Sequence, residues 1–186
     1  MHNTMMKMAK LMGMLGGLVL FALIAVTTLS VIGRMLNTIG HSFAFLESTL
    51  TIFGPIKGDY EIVEAGVAFA IMAFFPWCQL NRSHASVELF TSMLPTSANR
   101  FLALIWELVF ALVLMLLAWR LYVGMLAKMR YGETTFLLQF PIWWGYAACA
   151  FAAFIAAIVA AYSVYLHGKE LIAGEDLVDI DRSLGH

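Results

Sequence analysis

From Leu11 to Ile32 the chain runs through 22 residues without one charged side chain. A helix rises about 1.5 Å per residue, so such a run covers the roughly 30 Å hydrocarbon core of a bilayer. Lys7 and Lys10 precede it, as in a secretory leader, but a leader's apolar region holds only about 7–15 residues. The run therefore reads as a first transmembrane helix that is retained. Three more stretches follow, Glu61–Leu80, Phe101–Met125 and Phe136–Leu166. The last is longer than a crossing needs. Proline suits the first turn of a helix, so its helix is expected from about Pro141. The predicted fold is an all-α membrane protein, one integral domain over 1–186, with spans at about 11–32, 61–80, 101–125 and 141–166.

Composition excludes most other classes. Hydrophobic residues make up 62% of the chain and charged ones 12%, where a soluble domain is about 25% charged. The net charge of -1 gives no field that would gather a polyanion, so no nucleic-acid partner is expected. Cys78 and Cys149 lie in separate apolar runs with no metal-ligand spacing around them and read as small buried hydrophobes. Small residues recur at four-residue spacing, Gly13 with Gly17, Ala153 with Ala157 and Ala161, and Ala152 with Ala156 and Ala160. Such rows allow helices to approach closely in lipid.

The first loop, Gly33–Tyr60, is the longest. Within it Phe43, Leu46, Leu50 and Phe53 share one helical face, which predicts a short amphipathic helix at about 41–53 lying in the membrane interface or docked on a partner. Orientation follows Lys and Arg near the helix ends. With the N-terminus inside, Lys7, Lys10, Arg82, Arg100, Lys169 and Arg182 are inner, against Arg34, Lys57, Arg120, Lys128 and Arg130 outer. The first helix decides, with two lysines before it and one arginine after, and both termini are expected in the cytoplasm.

Ionisable groups inside a membrane are costly and mark sites of packing or function. Glu61 and Glu64 open the second span, Glu61 at headgroup level. Glu107 lies two turns into the third. Antiparallel spans put Glu64 and Glu107 at different depths, so they are expected to hold neighbouring helices and not to share an ion. Pro76 should bend the second span. Trp77, Trp106, Trp119, Trp143 and Trp144 lie toward span ends, as in an interfacial belt. Haem held in a bundle needs inward histidines, usually on two helices. Here His2 and His186 are terminal, His41 and His84 fall in predicted loops, and His167 ends the last span. No nucleotide, hydrolase or metalloprotease motif is present, so neither catalysis nor a cofactor is expected.

At the second span the chain reads Pro55-Ile56-Lys57-Gly58-Asp59-Tyr60-Glu61-Ile62-Val63-Glu64, then Phe74-Phe75-Pro76-Trp77, then Arg82-Ser83-His84-Ala85-Ser86-Val87-Glu88. This resembles the small membrane subunit of the tripartite ATP-independent periplasmic (TRAP) transporters. Some members of that family carry P-I-x-G-D-x-E-hydrophobic-V-E at this point, a proline near the helix end, and a turn R-x-x-H-hydrophobic-x-V-D. Glu88 replaces the aspartate, Ala85 replaces an aliphatic residue, and Asn81-Arg82-Ser83 lacks the usual glycine. Arg34 after the first span and Pro141-Ile142-Trp143-Trp144 before the fourth also match.

The resemblance implies a non-catalytic subunit of a sodium-coupled carrier for organic acids in the bacterial inner membrane. Its partners would be a large membrane subunit that holds the substrate and sodium sites, a periplasmic substrate-binding protein, and membrane lipid. Glu64, Pro76 and Glu107 would then shape helix packing and the large-subunit contact. Arg82, His84 and Glu88 would form the cytoplasmic turn. Arg34, Lys57, Asp59, Lys128 and Arg130 would help dock the binding protein. The rival readings are a membrane anchor for a redox enzyme and a small exporter acting alone.

Overall fold

The computed structural model describes residues 2–42, 56–81 and 96–173. They form four helices, α1 (His2–Ser42), α2 (Asp59–Leu80), α3 (Thr96–Tyr131) and α4 (Trp143–Ala173). All four are long and apolar enough to cross a membrane, and the protein is membrane-embedded. The described residues contain no β-strand, only an isolated bridge between Thr134 and Pro141.

Three helices run past their predicted spans. At 41 residues, α1 is about 61 Å long. It carries Arg34 and the first turns of the expected loop, and His41 belongs to its last turn. The rest of the predicted amphipathic segment, 43–53, lies outside the described residues. Helices end where the backbone finds another partner, not where the apolar run stops. At the end of α2 the Asn81 N–H and side-chain amide both donate to the Trp77 carbonyl, at 3.1 and 2.9 Å. Pro76 is buried inside α2, which continues through it.

The helices pack in the order α1, α2, α4, α3, with α1 barely reaching α4 and α3 resting chiefly on α4. The α1–α2 seam has a seven-residue step. Ser30 meets Asp59, Leu23 meets Gly66, and Gly16 meets Ala73. One further step down, Ala9 and Leu80 share a buried cluster. Each step moves seven residues up one helix and seven down the other, which is the repeat of a left-handed helix pair. The contacts are close at both glycines: a Cβ on Gly66 would sit 2.8 Å from Leu23, and one on Gly16 3.1 Å from the Ala73 methyl. Gly17, which the G-x-x-x-G reading had placed in the contact, faces open space, and its neighbour Gly16 does the packing.

Alanines make α4 the centre of the assembly. Ala152 is buried with Met12 of α1 and Ala73 of α2. Ala156, Ala157 and Ala160 are buried against Ala111 and Leu114 of α3. Lipid tails are as apolar as any core, so close van der Waals packing, not burial of apolar surface, holds these helices together. The outer faces remain apolar and open. On α3 alone Phe101, Trp106, Leu112, Leu116 and Trp119 are exposed.

Candidate functional site

Polar side chains gather at both ends of the bundle, and each group joins elements that are distant in sequence. At the end where α2 begins, Ser30 of α1 donates its hydroxyl to Asp59 Oδ2 at 2.6 Å, and the Tyr60 N–H donates to Asp59 Oδ1 at 2.9 Å. Arg34, half exposed, lies 3.7 Å from the same carboxylate. Asp59 is therefore turned inward and engaged by α1, although the sequence had placed it among the outward docking charges. An acidic group in the first turn also matches the partial positive charge of a helix N-terminus.

Glu61, two residues on, reaches the connection between α3 and α4. Its carboxylate accepts the Leu137 N–H at 2.6 Å and the Leu138 N–H at 2.9 Å. The connection is a hairpin. Thr135 N–H donates to the Phe140 carbonyl at 2.9 Å and Ile142 N–H to that of Glu133 at 3.0 Å. Lys128 and Glu133 form an ion pair of 2.5 Å at its base. Leu138 lies over Gly58, whose φ of 79° is left-handed; a Cβ there would fall 2.5 Å from Leu138 Cγ. Gly58→Ala should therefore destabilise the hairpin by about 1–2 kcal/mol from backbone conformation alone, with further loss from the clash. Faster proteolysis between Gly132 and Phe140 in detergent would register it.

At the opposite end, Gln79 of α2 donates its amide to Glu107 of α3, and His167 of α4 lies 3.9 Å from the same carboxylate. His167 Nδ1 is 2.9 Å from the Ser163 carbonyl. His167 was expected to close the last span; it lies inside α4 instead, facing inward. Gln79 is 1% exposed, so this contact among three helices is shielded from lipid and water.

The remaining candidate residues separate clearly. Glu64 is exposed on α2 and has no hydrogen bond or ion pair among the described residues. Lys57 and Arg130 are exposed at the Asp59 end. Arg82, His84 and Glu88 lie outside the described residues. Glu64 and Glu107 sit toward opposite ends, one near Asp59 and the other beside Gln79. Among the described residues no three His, Cys, Asp or Glu side chains converge where a metal ion could be held. Between α3 and α4 runs an apolar groove of about 670 Å³, lined by residues such as Met115, Trp119, Tyr122, Phe151 and Phe154.

Sequence reasoning missed Ser30, Gln79 and His167, and read Glu61 as an ordinary headgroup contact. One usable signal was present. Ser30 and His167 are polar residues at the edges of apolar runs, and such side chains in lipid bond across helices.

No match was found among curated proteins or among solved structures. The family model described as "Tripartite ATP-independent periplasmic transporters, DctQ component" matches residues 23–168. The matched segment is most of the chain and takes in every polar contact described above, from Ser30 to His167. The chain is thus not an enzyme but a transporter component, and it belongs to the DctQ family of small TRAP membrane subunits.

Proposed function

We propose that this chain is the scaffold subunit of a sodium-coupled TRAP carrier for organic acids in a bacterial inner membrane. It packs against a large membrane subunit and helps dock a periplasmic substrate-binding protein. The family match carries this reading, because a DctQ component works beside those two partners. The use of the carboxylates supports it. Asp59, Glu61 and Glu107 each hold another segment of the same chain. Glu64 points outward, where a donor from the large subunit would satisfy it. Pro76 and Glu107 act inside the scaffold.

Both termini lie in the cytoplasm in this reading, so the Asp59 end is periplasmic. Lys57 and Arg130 are then the outward charges best placed to meet the binding protein. Arg34 and Lys128 are engaged by Asp59 and Glu133 and contribute less. Arg82, His84 and Glu88 belong to the cytoplasmic turn. A fluorescent reporter fused after His186 should mature on the cytoplasmic side; a periplasmic signal would reverse the assignment.

Reconstitution tests the function. Proteoliposomes with this chain alone should take up no organic acid, whereas the chain with its large subunit and binding protein should do so under a sodium gradient. Uptake by the chain alone would favour the exporter reading, and a haem spectrum in the purified chain would favour the redox anchor. In the complete system, joint Lys57→Glu and Arg130→Glu should raise the concentration of binding protein needed for half-maximal uptake. Unchanged dependence would remove both from the docking surface.

A further inference from the structure

The hairpin between α3 and α4 carries three exposed apolar residues in a row, Phe136, Leu137 and Leu138, with Phe136 88% exposed. Exposed apolar loops invite a partner, and the position of this one identifies it. Gly145 of α4 faces Ala65 of α2, so these two parallel helices are level and Glu61 stands level with Pro141. The Leu137 and Leu138 N–H groups bond to Glu61, and Leu138 packs over Gly58. The tip is therefore folded back to the level of the first turn of α2 and does not project beyond the helix ends. Around it stand exposed Tyr60, Tyr131 and Trp144, with Lys57 and Arg130 nearby in sequence. Aromatic rings with basic residues at helix ends are the side-chain set of a membrane interface.

A second observation points the same way. Backbone groups in a low-dielectric layer must be satisfied internally, whereas a loop in water has no such need. Here the N–H groups of Thr135, Leu137, Leu138, Phe140 and Ile142 all have partners within the protein. The Gln139 side chain donates to the Phe136 carbonyl at 2.9 Å. Thr135 gives the Phe140 N–H its acceptor at 3.1 Å. Two of these N–H groups, those of Leu137 and Leu138, find their acceptor in Glu61 on another helix.

We infer that the Phe136–Leu138 tip is a lipid-inserting anchor, seated at the boundary between headgroups and acyl chains and locked there by the Glu61 carboxylate. Glu61 has a structural task in this arrangement, that of making a loop backbone tolerable to lipid. The inference does not depend on substrate, sodium coupling or docking.

The test uses the full chain with Cys78 and Cys149 replaced by alanine and Phe136→Cys labelled with an environment-sensitive fluorophore. It is placed in nanodiscs of phosphatidylethanolamine and phosphatidylglycerol, alone and with the large subunit and binding protein. Lipids brominated near the headgroup end of the acyl chain should quench the label several-fold more than aqueous iodide does, in both preparations. In the chain alone, a label at Lys57→Cys should show the reverse preference. Iodide quenching at position 136 equal to that at position 57 in that preparation would overturn the inference. So would loss of lipid quenching when the other subunits are added, since a protein would then cover the tip. Glu61→Gln in the labelled chain should raise iodide quenching at 136 several-fold with helix content by circular dichroism unchanged. Unaltered quenching would overturn the lock.

Discussion

Ala156→Leu should lower the melting temperature of the purified chain in detergent more than any surface change on α4. Ala156 is fully buried where α4 meets Ala111 and Leu114 of α3. Leucine there inserts three extra carbons between two helices. Overpacking of this kind costs about 1–3 kcal/mol, occasionally more. In lipid no gain from burying apolar surface offsets it, because the separated helices meet acyl chains as apolar as one another. The consequence extends beyond the contact. α3 rests chiefly on α4, and it delivers Glu107 to one end of the bundle and the hairpin to the other. Displacing α3 should therefore also reduce uptake by the assembled carrier. Ala148→Leu is the control, since Ala148 is exposed on the same helix and its substitution should leave melting within experimental error. Equal melting for the two variants would contradict the packing described here.

The second large effect is expected at Glu107. Along their backbones α2 and α3 hardly approach; they are joined by the Gln79–Glu107 hydrogen bond and by the edge-to-face pair Phe75–Phe110, 5.8 Å between centroids. Glu107→Leu removes the acceptor of a buried amide, which costs about 1–3 kcal/mol. Glu107→Gln keeps an acceptor at the same place and should recover most of that loss. A double-mutant cycle with Gln79→Leu should give a coupling of about 1 kcal/mol, within the range of groups sharing one hydrogen bond. Additive single and double variants would show that the two side chains do not act together. Melting in detergent, followed by near-ultraviolet circular dichroism of the tryptophans, reads all three.

The two variants differ in how much of their basis is visible before folding. The alanine rows of α4 stand in the sequence, and spacing alone marks them as a surface for close approach. The glycine row of α1 is less secure. Gly13, Gly16 and Gly17 offer two phases, and the contact uses Gly16 against Ala73 while Gly17 faces outward. A helix that is apolar all round has no polar face to show which side is inward. The seven-residue step from Ala9 through Gly16 and Leu23 to Ser30 marks the α1 seam once its partners on α2 are known. One helix alone does not single it out.

Charged residues were harder still. Asp59, Glu61 and Glu64 lie within six residues at the start of α2, yet the fold gives each a different task. The first turns in toward Ser30 and Arg34, the second holds a hairpin more than seventy positions away, and the third faces outward. Rotation of about 100° per residue around the helix separates them, but what waits at each angle depends on where α1, α3 and α4 have packed.

The four crossings and the scarcity of intramembrane charge follow from composition, because the cost of placing a side chain in hydrocarbon is local and adds along the chain. The motifs around α2 were likewise enough to mark the family, since they are contiguous strings. Packing phase, the inward turn of Asp59, the Gln79–Glu107–His167 contact and the locked hairpin depend on pairs of residues far apart in sequence. A hydrogen bond in lipid is made with whichever group the packed helices bring within about 3 Å, and that neighbour is a property of the assembled bundle.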